Sequence, residues 1–385
     1  MINLFQPLHL LIDGNEANIQ NRVGINVYAY QILTEIEKIT QNPRKAIEVT
    51  VLLSKPKITD LPPERLGWRY QITTPSFLWT KIACPLYLIN NQQKFNVYFT
   101  FSHYLPNLLK IPTISSIMDL SYLIYPSYFK FTDYCKLKYW TAQSLKKNDK
   151  VLTISEFSKN EIVKHYHFEK NKIFIAYPGI IENKKYFNPD QEEECLARYK
   201  INQPYFLFLG TIQPRKNLIN LIKAFEIFKK QYNFPGKLVL AGKIGWKAKK
   251  TLKTINDSLN KSDIILTNFI SENEKQILLK NTLANINIGF YEGFGIPTLE
   301  ALQAQCLTLI SQDSALEEVV GNLGLKVNPH KIMAITQSLD YLWHLSFNEK
   351  QKIIKKNNKQ ISKFSWQKSA QKILKEVRLL YYEKK

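Results

Sequence analysis

No run of about 18 apolar residues, the length needed to span a bilayer, occurs in the 385-residue chain. No transmembrane helix is therefore expected. Cysteine is scarce: Cys84, Cys135, Cys195 and Cys306 are scattered, with no CxxC pair. That excludes a disulfide framework and reads as reduced thiols in a cytoplasmic protein. The 13 Gly and 17 Pro are too few to suggest disorder. His165 and His167 lie two apart without neighbouring Cys or clustered acids, so no metal site is expected. Met1 to Ile12 lacks a basic start and a small-residue cleavage site, and reads as a short strand rather than a leader. Acidic residues are in deficit, 32 against 53 Lys and Arg, a formal charge of +21. Such a surplus calls for an anionic partner. Without zinc-finger spacing, an RNP-like aromatic motif or a compact Arg cluster, nucleic acid is not expected. The segment Glu349–Lys385 is the most basic, with twelve Lys and Arg against three Glu. A solvated helix face and a membrane-surface face explain it equally well.

What is present is material for two cores. Apolar residues make up 45% of the chain, with 21 Phe and 21 Tyr, and a chain of this length favours two domains. Strand-like runs at Leu8–Ile12, Val49–Leu53, Asn96–Phe101, Thr113–Met118 and Lys150–Ile154 alternate with helical patterns such as Val27–Ile39. The pattern restarts with strands at Tyr205–Leu209, Leu238–Ala241, Ile264–Thr267, Asn285–Ile288 and Thr308–Ile310, and a helix over Leu218–Tyr232. Such alternation predicts an α/β chain of two doubly wound, parallel-sheet halves, whose ligands bind at the carboxyl ends of the strands. Residues 1–181 form the expected first domain, 182–203 a polar linker and 204–365 the second domain.

The most informative segment is Tyr291-Glu292-Gly293-Phe294-Gly295-Ile296-Pro297-Thr298-Leu299-Glu300. Two carboxylates flank a Gly-rich turn, and Pro297 suits the first turn of a helix. Such a helix start presents bare N–H groups and a positive dipole end to a phosphate. Glu300, a turn later, can accept hydrogen bonds from sugar hydroxyls. In the same half, Gly210 ends a strand and leads to Arg215-Lys216, two cations suited to phosphate oxygens. In the first half, Gly24 and Asn26 lie in a turn before a helix. Alone it reads as a plain turn. Asp119 closes a strand and is either a cleft-facing carboxylate or a helix cap. His103 reads as a structural histidine, and Ser155 or Ser158 as a helix cap. Phe129–Lys150 mixes aromatics with Lys, as an interfacial helix or a sheet-packed helix would.

Taken together and in order, these motifs resemble the retaining glycosyltransferase family 4, of GT-B fold. The likeness runs through the Gly24–Tyr28 loop, Asp119-Leu120-Ser121-Tyr122 with Pro126, Thr153–Lys159, Tyr177-Pro178-Gly179, Gly210–Asn217, Ala241-Gly242-Lys243, Glu292–Glu300 and Ser311–Val319. The resemblance implies two Rossmann-like domains facing an interdomain cleft, with the last helix, 366–385, crossing back onto the first. It implies a nucleotide-sugar donor held by the second half. Arg215 and Lys216 would bind its diphosphate, Glu300 its ribose, and the Gly293, Phe294 and Gly295 turn its sugar. Glu292 would lie beside that sugar, and Phe269 and Ile270 would seat the base. Gly24, Asn26 and Gly210 would complete the donor site, and Asp119 would position acceptor or sugar hydroxyls. The implied activity is transfer of a hexose to a saccharide or lipid-linked acceptor with retention, without metal or other cofactor. GDP-mannose is the expected donor, with UDP- and dTDP-sugars open. The acceptor would lie at the inner membrane face. The chain departs from the family at Met118, Asn26, Ile288-Gly289, Gln305 and Leu307. Three rivals stay open: a glycosidase using Glu292 and Glu300, a nucleotide-sugar epimerase of the same fold, and a weak or inactive homologue that only binds.

Overall fold

The computed structural model describes residues 7–42, 46–107, 109–181 and 186–385. The chain separates into two compact units, Met1–Gly179 with Phe364–Lys385, and Ile180–Lys363. The first holds strands β1 (Leu8–Asp13), β2 (Ile47–Leu53), β3 (Trp68–Ile72), β4 (Val97–Thr100), β5 (Thr113–Ser116), β6 (Lys150–Thr153) and β7 (Ile173–Ile175). They form one parallel sheet in the order β3-β2-β1-β4-β5-β6-β7. The second holds β8 (Tyr205–Leu209), β9 (Lys237–Ala241), β10 (Ile264–Asn268), β11 (Ala284–Asn287), β12 (Thr308–Ser311) and β13 (Leu325–Val327). Its order, again parallel, is β10-β9-β8-β11-β12-β13. Each sheet reverses its winding once, between β1 and β4 and between β8 and β11. In doubly wound sheets the loops diverge at such points, and ligands bind there, at the carboxyl ends of the strands.

The central strands read as unbroken apolar runs because both of their faces are covered. In β8, Phe206 and Phe208 pack under the Leu218–Tyr232 helix, while Tyr205, Leu207 and Leu209 face the other way. In the first unit, the Ile25–Thr40 helix buries Tyr28, Ala29, Ile32, Leu33 and Ile36 on the same face that receives the Trp366–Glu383 helix. That last helix is thus part of the first unit. It buries Trp366, Ile373, Leu374, Val377 and Leu380, on the order of 1.5–3 kcal/mol for each large side chain. Lys150 pairs with its Glu376 at 3.3 Å and Glu383 at 3.1 Å. Its start is fixed by Gly179, where a Cβ would stand 2.1 Å from the Trp366 nitrogen.

The expected linker needs correction. Residues 182–185, like 1–6, lie outside the described residues, but Pro189–Arg198 is a helix of the second unit with a capping box between Asn188 and Gln191. Cys195 is buried, Arg198 pairs with Glu274 at 2.9 Å, and the Tyr199 hydroxyl donates to Glu274 at 2.8 Å. The segment is polar because only one narrow face meets the core, not because it is a free connection.

Candidate functional site

In the second unit, the loops after β8 and β11 meet at the winding reversal. Gly210, at φ +145°, ends β8, and its carbonyl would lie 2.1 Å from a Cβ on Gly242, so the two strand ends approach as closely as glycine allows. Pro214–Lys216 then makes one 3-10 turn that presents two cations in succession. Asn217, at φ +59°, holds that turn by donating from Nδ2 to the carbonyls of Ile288 at 3.0 Å and Pro329 at 2.7 Å. The facing loop is tied down when the Phe290 N–H donates to the Arg215 carbonyl at 2.9 Å.

Glu292 is brought against both cations. Its Oε2 lies 3.1 Å from Nη1 of Arg215, and its Oε1 accepts from Nζ of Lys216. Arg215 Nη1 also donates to the Tyr291 carbonyl at 2.6 Å. The three side chains are 15%, 8% and 7% exposed for Arg215, Lys216 and Glu292. Burial pushes the Glu292 carboxyl up, yet Lys216 and Arg215 outweigh it and hold it below the ordinary glutamate range.

Gly295, at φ +97°, leads into the Ile296–Gln303 helix with Pro297 in its first turn. The Thr298 N–H turns back to the Gly295 carbonyl at 2.9 Å. Phe294 is 2% exposed and belongs to the interior, so its side chain does not line the surface. Glu300 has different company from Glu292: Lys275 Nζ stands 2.6 Å from its Oε1 and 2.8 Å from Glu272. Burial raises the Glu300 carboxyl above its ordinary value despite Lys275. Phe269, following β10, is 63% exposed, whereas Ile270 packs into the core beside Leu278 and Ala301. One cavity of about 730 Å³ lies at the other, amino-terminal edge of this sheet, near Lys200, Lys237 and Lys280. It contains none of these residues.

In the first unit, Gly24 adopts φ +54° immediately before the Ile25–Thr40 helix. Asn26 is engaged locally, donating from Nδ2 to Glu16 Oε2 at 2.7 Å. Glu16 carries no motif and sequence reasoning missed it. Burial, then the Asp13 carboxylate, pushes it up to about 7 against the Asn26 hydrogen bond. Asp13 ends β1 and accepts from the Thr100 hydroxyl, at the end of β4, at 3.0 Å. Burial raises it too. Asp119 Oδ1 accepts from the backbone N–H and hydroxyl of Ser121 at 2.9 and 2.7 Å, the turn-forming geometry of a short Asx motif. His103 faces it electrostatically: burial lowers its basicity and the Asp119 charge partly restores it. Ser155 caps the Glu156–Tyr166 helix by accepting from the Ser158 N–H at 2.9 Å. Among the described residues no group of three or more His, Cys, Asp and Glu is arranged to hold a metal ion, and no helix is long and apolar enough to cross a membrane.

Two Rossmann-like parallel-sheet units with strand orders of this kind make up the GT-B fold, which the chain shares with solved structures. A solved structure from Anabaena, HepE in complex with UDP and glucose, superposes with a TM-score of 0.72 at 12% identity, covering 97% of this chain and 100% of that one. Residues 193–361, most of the second unit, match the family model of glycosyl transferases group 1. The chain is 26% identical over 244 residues to the O-antigen chain mannosyltransferase B of Escherichia coli, covering 62% of this chain and 63% of that one. It is 29% identical over 230 residues to the O-antigen chain mannosyltransferase RfbU of Salmonella typhimurium, 60% of each chain. The aligned part thus spans less than two thirds of these relatives.

Proposed function

We propose that the protein is a retaining, metal-independent glycosyltransferase that moves a hexose, mannose from GDP-mannose, onto a saccharide or lipid-linked acceptor in surface polysaccharide synthesis. The observation that carries the reading is the convergence of Arg215, Lys216, Glu292 and the Gly295 helix start within one group 1 domain. The mannose assignment rests on the two O-antigen mannosyltransferases to which the chain is similar.

In this reading the bond between the anomeric carbon and the diphosphate oxygen breaks, and its electron pair leaves with the nucleoside diphosphate. Arg215, Lys216 and the N–H groups of the helix start meet the growing negative charge, as fixed donors do where charge develops in a transition state. The acceptor hydroxyl attacks from the side the diphosphate leaves and passes its proton to a departing phosphate oxygen. Glu292 lies beside the sugar, and Glu300 accepts from the ribose hydroxyls. Phe269 presents an exposed ring for the base beside Ile270. Asp119 and the Gly24–Asn26 turn orient the hydroxyls on the first unit. The glycosidase reading leaves the buried cations without a task.

Unit 1 also offers a face for anionic lipid. Phe131 and Tyr139 are 77% and 63% exposed on a helix bearing exposed Lys136 and Lys138. Lys81 lies 5.2 Å over the Trp140 ring and joins that helix to a segment where Phe77, Leu78 and Leu86 are exposed. Aromatic and basic residues on one surface suit an anionic bilayer. Binding to vesicles that ignores both anionic lipid and salt would remove the membrane part of the proposal.

The donor test is a thermal-shift panel of GDP, UDP, dTDP and their sugars, followed by turnover with and without chelator. Marked stabilisation by one nucleotide family, lost in Lys216→Ala, supports the site. No stabilisation by any member, or hydrolysis of a plain glycoside instead, would sink it. Isomerised donor without acceptor would point to an epimerase, and tight binding without transfer to any acceptor to the inactive homologue.

A further inference from the structure

We infer that Glu292 is the resident counter-ion of the Arg215–Lys216 pair, a positioning residue that aims both cations and is exchanged for the donor's diphosphate. The inference rests on the donor-site reading above and concerns how that site is kept before and after it is filled.

The two cations are adjacent in sequence and both largely buried, and one carboxylate reaches them from a loop 76 and 77 residues further on, one oxygen to each. Two neighbouring buried cations without a counter-ion would repel each other, and a lysine there would tend to shed its proton. Glu292 offsets that repulsion by placing one carboxylate oxygen on each cation. The backbone makes room for the arrangement. At Gly289 a Cβ would lie 3.1 Å from the Arg215 carbonyl and 3.5 Å from the Glu292 carboxylate, so a side chain there would crowd the pair. Arg215 is further held by the Tyr291 carbonyl. The cations are thus held close together and need only exchange one partner to meet a ligand.

A diphosphate offers more charge and more acceptor oxygens than a carboxylate and takes the same donors. Its arrival draws Lys216 and Arg215 from Glu292 and leaves that carboxylate facing the sugar, where a cation-like centre develops. When the nucleoside diphosphate must leave, Glu292 takes the cations back. The carboxylate therefore weakens nucleotide binding while it favours turnover and release.

The test compares wild type with Glu292→Gln, which keeps the shape and loses the charge. Titration with GDP, UDP and dTDP is expected to show about tenfold or more tighter binding in the variant, by the loss of one close unit charge, with kcat lowered and donor KM lowered together. A purely structural glutamate would not tighten binding. Where Glu292→Gln does not fold, Glu292→Asp, whose shorter carboxylate loosens the contact, is expected to tighten binding by a smaller factor. Equal or weaker nucleotide binding in the folded variant overturns the counter-ion role. Failure of the wild type to bind any of the three nucleotides would instead overturn the donor-site reading.

Discussion

Glu16→Gln gives a sharp test of the electrostatics at the end of β1. The Glu16 carboxyl is raised from 4.5 to about 7, first by burial and then by Asp13, with the Asn26 hydrogen bond opposing. A carboxyl raised on folding stabilises the fold in its protonated form. That contribution is fully present below the unfolded value near 4.5 and is lost as pH rises through about 7. At about 1.4 kcal/mol for each tenfold change, the charged side chain costs about 3 kcal/mol by pH 8. The substitution removes this cost and keeps an oxygen to accept from Asn26. Wild type and variant should therefore be about equally stable at pH 4, and the variant more stable by up to about 3 kcal/mol at pH 8. For a unit of roughly 200 residues, at about 2–4 °C per kcal/mol, that is a gain of several degrees. Thermal unfolding at the two pH values reads it directly. A variant that unfolds earlier than wild type at pH 8, or a difference that does not vary with pH, would refute the reasoning.

Lys275→Met withdraws the cation 2.6 Å from Glu300, so the already raised carboxyl should climb further. Nucleotide affinity should then fall about tenfold, which is about 1.4 kcal/mol, and the loss should grow as pH falls; a loss independent of pH in titrations would show that Lys275 does not act through Glu300. Gly179→Ala places a Cβ 2.1 Å from the Trp366 nitrogen and 2.7 Å from the Ser365 carbonyl carbon, backbone atoms that cannot swing aside. Displacing the last helix should cost about 3 kcal/mol in denaturant unfolding, and a loss below about 1 kcal/mol would mean that the helix is not anchored there.

The sheets were legible wherever both faces of a strand are covered. Leu8–Ile12 and Tyr205–Leu209 are unbroken apolar runs, and β1 and β8 occupy nearly those residues. The strands missed are at or near the margins. Trp68–Ile72 alternates and is mostly exposed, while Ile173–Ile175 and Leu325–Val327 are only three residues each, too short for a periodic signal. The Pro189–Arg198 helix is hidden in the sequence because its single buried cysteine leaves the rest polar. Its Asn-Pro-x-Gln start was the available clue.

The candidate site divides along the same physical line. A residue type that suits phosphate is visible in the string, and so Arg215, Lys216 and the turn before Pro297 stood out. Which carboxylate answers which cation is a product of winding. Glu292 and Glu300 are eight positions apart and look like a pair, yet the fold gives the first to Arg215 and Lys216 and the second to Lys275. Two glutamates of one motif therefore have opposite electrostatics: the first is lowered by Arg215 and Lys216, and the second is raised by burial against the pull of Lys275. Substituting both together would mix effects of opposite sign on nucleotide binding, so the two positions must be separated before either is assigned a role.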